Sequence, residues 1–156
     1  GKIIGGGLPV GAYGASAKIM SKISPDGDVY QAGTLSGNPI AMSAGIAQLT
    51  ECLKTNFYTE LDQKTKFFVS NCQLSTARCR IFSVGSIFWI AFTEKENIRS
   101  AEEIDAASMK HFKKLYHKLL NSGVYLGPSG YEVGFVSSAH SNDDLSIAAK
   151  TIQRFL

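Results

Sequence analysis

Cysteine is scarce in this chain: Cys52, Cys72 and Cys79 make an odd number, and no two of them form a Cys-x-x-Cys pair. That argues against a disulfide framework and a zinc knuckle, and fits a reducing, cytoplasmic compartment. Long apolar runs are missing as well. Lys2 and repeated glycines interrupt the start, and Gly85-Ser86 divides the most apolar later stretch. Nothing reaches the roughly 18–20 residues that a membrane helix needs, and no signal-peptide pattern is seen. Charge of one sign is also lacking, since 16 Lys+Arg stand against 13 Asp+Glu for a formal excess of +3. Spread along 156 residues, that excess is too thin for nucleic acid or an anionic membrane, both of which are gripped by dense Lys/Arg clusters. What is present, 44% hydrophobic and 19% charged residues, excludes disorder and is enough to build a core. The opening Gly1-Lys2-Ile3-Ile4 has no initiator Met and starts an apolar, strand-like segment without a lead-in, so the chain reads as a fragment or a trimmed chain.

Glycine is unevenly placed. Residues 1–37 contain Gly1, Gly5, Gly6, Gly7, Gly11, Gly14, Gly27, Gly33 and Gly37, and read as short strands and shaped loops. Asn38-Pro39 then opens a helix to about Leu53, with Ile40, Ala44, Ala47 and Leu49 or Cys52 as its apolar face. A second helix over about 57–72 sets Phe57, Leu61, Phe68 and Cys72 inward and leaves Lys64 and Lys66 in water. The β-branched and aromatic run from Cys79 to Phe92 predicts a hairpin about Gly85-Ser86. Ser100-Ala101-Glu102-Glu103 has capping-box spacing and predicts one helix carrying Ile104, Met109 or Phe112, Leu115 and Leu119, closed by Gly123. Val124-Leu126 and Phe135-Ser137 are strand candidates about the Gly127-Gly130 turn, and Ser141-Asp144 caps a final helix to about Phe155. The expected class is α/β, with a boundary between about 57 and 75.

Several local signals lead nowhere. Gly1-Lys2 resembles the end of a Walker A motif, but Ile3 stands where Ser or Thr must coordinate magnesium. Val10 occupies the third glycine of a dinucleotide fingerprint counted from Gly5. Lys110, Lys113, Lys114 and Lys118 form a solvated face behind an acidic helix start. His111 and His117, about 240° apart around a helix, cannot share one metal, and His140 has no partner that the sequence identifies.

Three features remain. Lys2 precedes a glycine-rich apolar segment, where a poorly solvated amine could form a Schiff base, although an exposed terminal lysine is the plain alternative. Gln31-Ala32-Gly33-Thr34-Leu35-Ser36-Gly37-Asn38-Pro39 offers hydroxyls and N–H groups before a helix N-terminus. It can cradle phosphate, cap the helix, or do both. Glu132, between Tyr131 and Val133, reads as a surface carboxylate in a turn that leaves a functional role open.

Gly1 to Gly14 and Gln31 to Pro39, with Tyr131-Glu132-Val133-Gly134-Phe135 and the closing Ala139-His140, together resemble the glutamate-1-semialdehyde 2,1-aminomutase family. That family belongs to the class-III aminotransferase-like pyridoxal-phosphate enzymes. The likeness covers essentially the whole chain, and Ala15, where the family commonly has a second glycine after Gly14, is a mild departure. It implies the PLP-dependent transferase fold of type I, with residues 1–56 the end of the cofactor-binding large domain. Residues 57–156 would then be a linking helix and the small C-terminal α/β domain. The resemblance makes Lys2 the lysine that bonds pyridoxal 5′-phosphate and moves protons between substrate and cofactor. It makes Gly33 and Thr34 phosphate ligands reaching across a homodimer interface, and places Glu132 near the substrate. The implied reaction starts from the pyridoxamine 5′-phosphate form and turns glutamate-1-semialdehyde into 5-aminolevulinate for tetrapyrrole synthesis. The family's pyridine-nitrogen Asp, its stacking aromatic and its substrate-carboxylate site lie upstream of the matched region, so the chain alone is expected to be inactive. Two alternatives are another class-III ω-aminotransferase and a non-catalytic remnant or dimerisation module.

Overall fold

A computed structural model describes residues 1–74 and 78–156. Its chain divides into two compact units, Gly1–Phe57 and Tyr58–Leu156.

In the first unit the opening is not strand-like. Lys2–Gly5 is a 3-10 turn in which only Gly5 is buried, and Gly6 closes it with φ 57° while its N–H donates to the Ile3 carbonyl at 3.1 Å. A residue with a Cβ resists that left-handed conformation, so a glycine at this point lets the chain reverse. One helical turn, α1 (Ala17–Met20), and an isolated bridge between Ile23 and Val29 follow. Helix α2 (Pro39–Cys52) starts where expected, because the Asn38 side chain accepts from the N–H groups of Ile40 at 3.0 Å and Ala41 at 3.2 Å.

Its inward face differs from the expected one. Ala41 and Gly45 are buried, whereas Ile40, Ala47 and Leu49 are exposed. The cause is a backbone neighbour rather than a side-chain neighbour. The 3-10 turn lies along α2 so closely that a Cβ on Gly45 would stand 2.6 Å from the Ile4 carbonyl oxygen. Small residues therefore face inward and the larger ones are turned out.

The second unit has a layered core. Helix α3 (Phe57–Asn71) buries Leu61, Thr65 and Phe68. Strands β1 (Arg80–Val84) and β2 (Ile87–Ala91) form the expected hairpin, with Val84 opposite Ile87, and a two-residue β3 (Gly134–Phe135) adds to β2 to give the order β1-β2-β3. Helix α4 (Met109–Asn121) turns Phe112, Leu115 and Leu119 inward and leaves Lys110, Lys113, Lys114 and Lys118 exposed. Helix α5 (Asn142–Phe155) contributes Leu145, Ala149 and Ile152. These residues close on Phe68, Cys72, Phe88 and Ile90 in one apolar cluster. Helices thus cover an antiparallel sheet in an α/β arrangement, and no helix among the described residues is long and apolar enough to cross a membrane.

Two expectations fail here. Residues 101–108 are not the start of one long helix but two 3-10 turns, Ala101–Glu103 and Ala106–Ser108, separated by an extended Ile104. Ser100 makes no cap to the backbone. Glu102's own backbone N–H and, after it, the Ser100 hydroxyl draw the Glu102 carboxyl below its ordinary value, while the Asp105 side chain accepts from Ala107 N–H at 2.8 Å and starts the next 3-10 turn. This is local side-chain competition with helical geometry. Val124-Leu126 joins no strand, and the later strand begins at Gly134 rather than Phe135.

Candidate active site

Lys2 is held by the 3-10 turn and is exposed, the plainer of the two settings that the sequence allows. Its backbone carries φ 58°, a left-handed conformation that costs a non-glycine residue about 1–2 kcal/mol. Such strain persists where neighbouring structure enforces it and clusters at functional positions. Here the enforcing structure is α2, against which both Gly6 and Ile4 are packed.

Gly33 and Thr34 lie in the loop that leads into the same helix. Gly33 carbonyl accepts from Ser36 N–H at 2.9 Å, and a Cβ on Gly33 would stand 3.0 Å from the Ser36 hydroxyl. Asn38 occupies the first helical N–H groups, so the capping role is filled there and an anion would have to be held before the helix. Thr34 is exposed, and among the described residues its hydroxyl and N–H have no partner in the chain. Helix α2 therefore supports both features: the Lys2 turn rests at Ala44 and Gly45, about 8 Å along the axis from Pro39 by the helical rise, and the Thr34 loop precedes its first turn.

Glu132 belongs to the second unit and is organised separately. It is exposed, but its turn is tightly made. Glu132 N–H donates to the Ser129 carbonyl at 3.0 Å and Tyr131 N–H to the Ser129 hydroxyl at 3.3 Å. The carboxylate folds back over Gly127, leaving no room there for a side chain. Buried Gly130 is wedged against Met109 and Phe112, and its carbonyl accepts from the indole N–H of Trp89 at 2.7 Å. Gly134 lies on the Phe88 ring.

Two further contacts escape sequence reasoning. Lys64, expected to point into water, is half-buried, and its ammonium donates to the carbonyls of Ser138 at 2.8 Å and His140 at 2.6 Å. His140 also gains a partner, since its Nδ1 accepts from Ser137 N–H at 3.1 Å. The two Lys64 bonds join residues 74 and 76 apart in sequence, so no local pattern announces them.

The electrostatics separate function from packing. Burial pushes the Cys72 thiol up to about 12, with Cys79 adding to the shift, and pushes Cys79 up to about 11. Neither is a nucleophile at neutral pH. Bonds from the Ser141 hydroxyl and N–H hold the Asp144 carboxyl below its ordinary value as the second half of a capping box. No group of three or more metal-ligating side chains occurs among the described residues. A cleft of about 350 Å³, lined by residues that include Phe68, Tyr125, Phe135 and Ile147, lies in the second unit and takes in none of the four predicted site residues.

The profile described as "Aminotransferase class-III" matches residues 1–155. A β-phenylalanine aminotransferase from Variovorax paradoxus is 26% identical with a TM-score of 0.82, and a transaminase with PLP bound is 25% identical with a TM-score of 0.76. Each alignment covers 99% of this chain and 36% of the solved one. A glutamate-1-semialdehyde aminomutase from Pseudomonas aeruginosa PAO1, in complex with PMP, is 20% identical with a TM-score of 0.66, covering 80% of this chain and 28% of that one. The chain thus spans about a third of the length of these two solved transaminases.

Proposed function

The chain belongs to the class-III aminotransferase family, and from that premise we propose that it supplies the cofactor lysine and phosphate loop of an enzyme that moves an amino group with pyridoxal or pyridoxamine 5′-phosphate. The observation that carries this reading is Lys2: a strained, exposed residue on a turn that α2 fixes. The fit to the cofactor is good at the groups present. Lys2 Nζ has no partner among the described residues and is free to bond the cofactor's carbonyl carbon, and the unpaired Thr34 hydroxyl and N–H suit phosphate oxygens. When bound, the cofactor supplies an electron sink for the carbon that loses its proton. Once the substrate's amine has displaced it from the cofactor, Lys2 Nζ would be free to take and return that proton as a base held in place by the turn. Gly33 keeps the loop backbone close to the phosphate, and Thr34 serves the partner's site in a cytoplasmic homodimer. Glu132 places a carboxylate near the substrate.

Within the family we favour the intramolecular reaction, glutamate-1-semialdehyde to 5-aminolevulinate. What supports it is the sequence of two loops, Gly7-Leu8-Pro9-Val10-Gly11-Ala12 and Gln31 to Gly37, which are more like the aminomutase versions. An ω-aminotransferase is the second reading, favoured by the transaminases' greater identity and coverage. Turnover decides between them: the aminomutase makes 5-aminolevulinate with no second amino acceptor, and an absolute need for one overturns it. Borohydride reduction of the cofactor-loaded enzyme should leave a pyridoxyl label on Lys2. A label elsewhere removes Lys2 from its role, and no label at all supports a non-catalytic module. The 156-residue chain alone should give no turnover, because the family's pyridine-nitrogen carboxylate is not among its residues; robust product formation would overturn that expectation.

A further inference from the structure

We infer that Trp89 is a positioning residue for the Glu132 turn, its indole N–H fixing the Gly130 carbonyl and thereby where the Glu132 carboxylate stands. This deepens the site reading above and rests on Glu132 facing substrate. Trp89 is the only tryptophan in the chain. It sits in the middle strand of the sheet, and its ring stacks on Phe82 at 5.7 Å and 25°, which holds the indole from the neighbouring strand. From there it donates across to Gly130 at 2.7 Å, a link over 41 residues.

The rest of the turn shows why this one bond matters. The contacts of Ser129 with Tyr131 and Glu132 are internal to the turn and fix its shape without fixing its place. Placement comes from outside: Gly130 rests against Met109 and Phe112 by contact alone, and Gly134 lies on Phe88. Packing of this kind resists approach but not sliding. Backbone pairing of β3 with β2 anchors the chain after the turn, at Gly134 and Phe135, and the indole bond is the directional tie that the sheet makes to the turn itself, at Gly130. An exposed carboxylate on a merely structural turn would not need such a tie, whereas a group that must meet a substrate atom gains from being held before binding.

The test replaces Trp89 in the cofactor-loaded enzyme with 3-benzothienylalanine, which keeps the ring shape and puts sulfur in place of the N–H, and compares it with Glu132→Gln. Amide exchange at Tyr131 and Glu132 should quicken about fivefold, the equivalent of one ordinary hydrogen bond, while amides of α5 stay unchanged. With the amino substrate, KM should rise about as much as in Glu132→Gln, with kcat held within about twofold. Unchanged exchange in the turn overturns the inference, and so does equal acceleration throughout the second unit, which would mean a general loss of packing. If Glu132→Gln leaves KM unaltered, the substrate reading of Glu132 fails, and the exchange data still decide whether Trp89 places the turn. If Glu132→Gln raises KM and the analogue does not, the positioning role fails alone.

Discussion

The two units spend their apolar residues differently. In Tyr58–Leu156, Leu119, Ala149 and Ile152 are 0% exposed and lie in one continuous core. In Gly1–Phe57, the principal helix buries an alanine and a glycine while Ile40, Ile46 and Leu53 are 71%, 67% and 85% exposed. Burial is worth about 1.5–3 kcal/mol for a leucine or isoleucine side chain, so the larger share of apolar stabilisation lies in the second unit. The proposed proton transfer resides in the first, in a lysine held by backbone contacts, and the second adds the Glu132 carboxylate. The difference teaches that residues for folding and residues for reaction can be separated here by substitution.

The sharpest separation is Lys2→Ala. The borohydride label should vanish and turnover should fall by at least about 10²–10⁴-fold, the range for losing a positioned acid–base group, while the urea midpoint stays put. A coincident loss of stability would break the comparison. Next come Leu119→Ala and Ile152→Ala, each expected to cost about 2–5 kcal/mol, against Ile46→Ala, which should change stability by no more than about 0.5 kcal/mol because its side chain is largely exposed. Equal effects in urea unfolding would show that the first unit shares the core's stability.

Smaller is Ser141→Ala, which removes the α5 cap at about 1 kcal/mol. It should also flatten the acid limb. Asp144 is depressed in the folded state, so its contribution is present above the ordinary carboxylate value and is lost as pH falls through the lower folded one. Without the Ser141 hydroxyl that window narrows, and stability measured from pH 5 to 3 should fall less steeply. Smallest is the alkaline limb. Cys72 and Cys79 are raised above 9.0 in the fold, so the unfolded chain loses those protons first and stability drops as pH rises, by a few tenths of a kcal/mol per thiol at pH 9. Half-buried Cys52 should react with a thiol reagent in the native chain, and Cys72 and Cys79 only on unfolding.

Legibility in the sequence followed the range of the forces involved. Helices α2, α3 and α5 and the β1–β2 hairpin were readable because their caps, periods and turn lie within a few residues of one another. The turn of α2 toward Ala41 and Gly45 was not, because it answers to a backbone carbonyl from Ile4. The capping-box spacing at Ser100 does not make a cap, because spacing alone does not say whether the hydroxyl meets a backbone N–H. Lys64 followed the rule for a solvated lysine until two carbonyls from the loop before α5 claimed its ammonium. At the site, resemblance supplied Lys2, Gly33, Thr34 and Glu132, and composition alone would have left each as an ordinary surface residue. The strain at Lys2 and the folding of Glu132 over Gly127 are visible only in three dimensions.

Gly45 carries a consequence for any attempt to alter the lysine's reach. The carbonyl of Ile4 leans on the empty place where a Cβ would be, so this glycine works as the fulcrum of the lysine turn. A methyl group there adds no charge, removes no hydrogen bond and touches no substrate, yet it lifts the whole lever. The setting of the amine is thus entrusted to a residue with no chemistry of its own, one that a survey of polar groups would pass over.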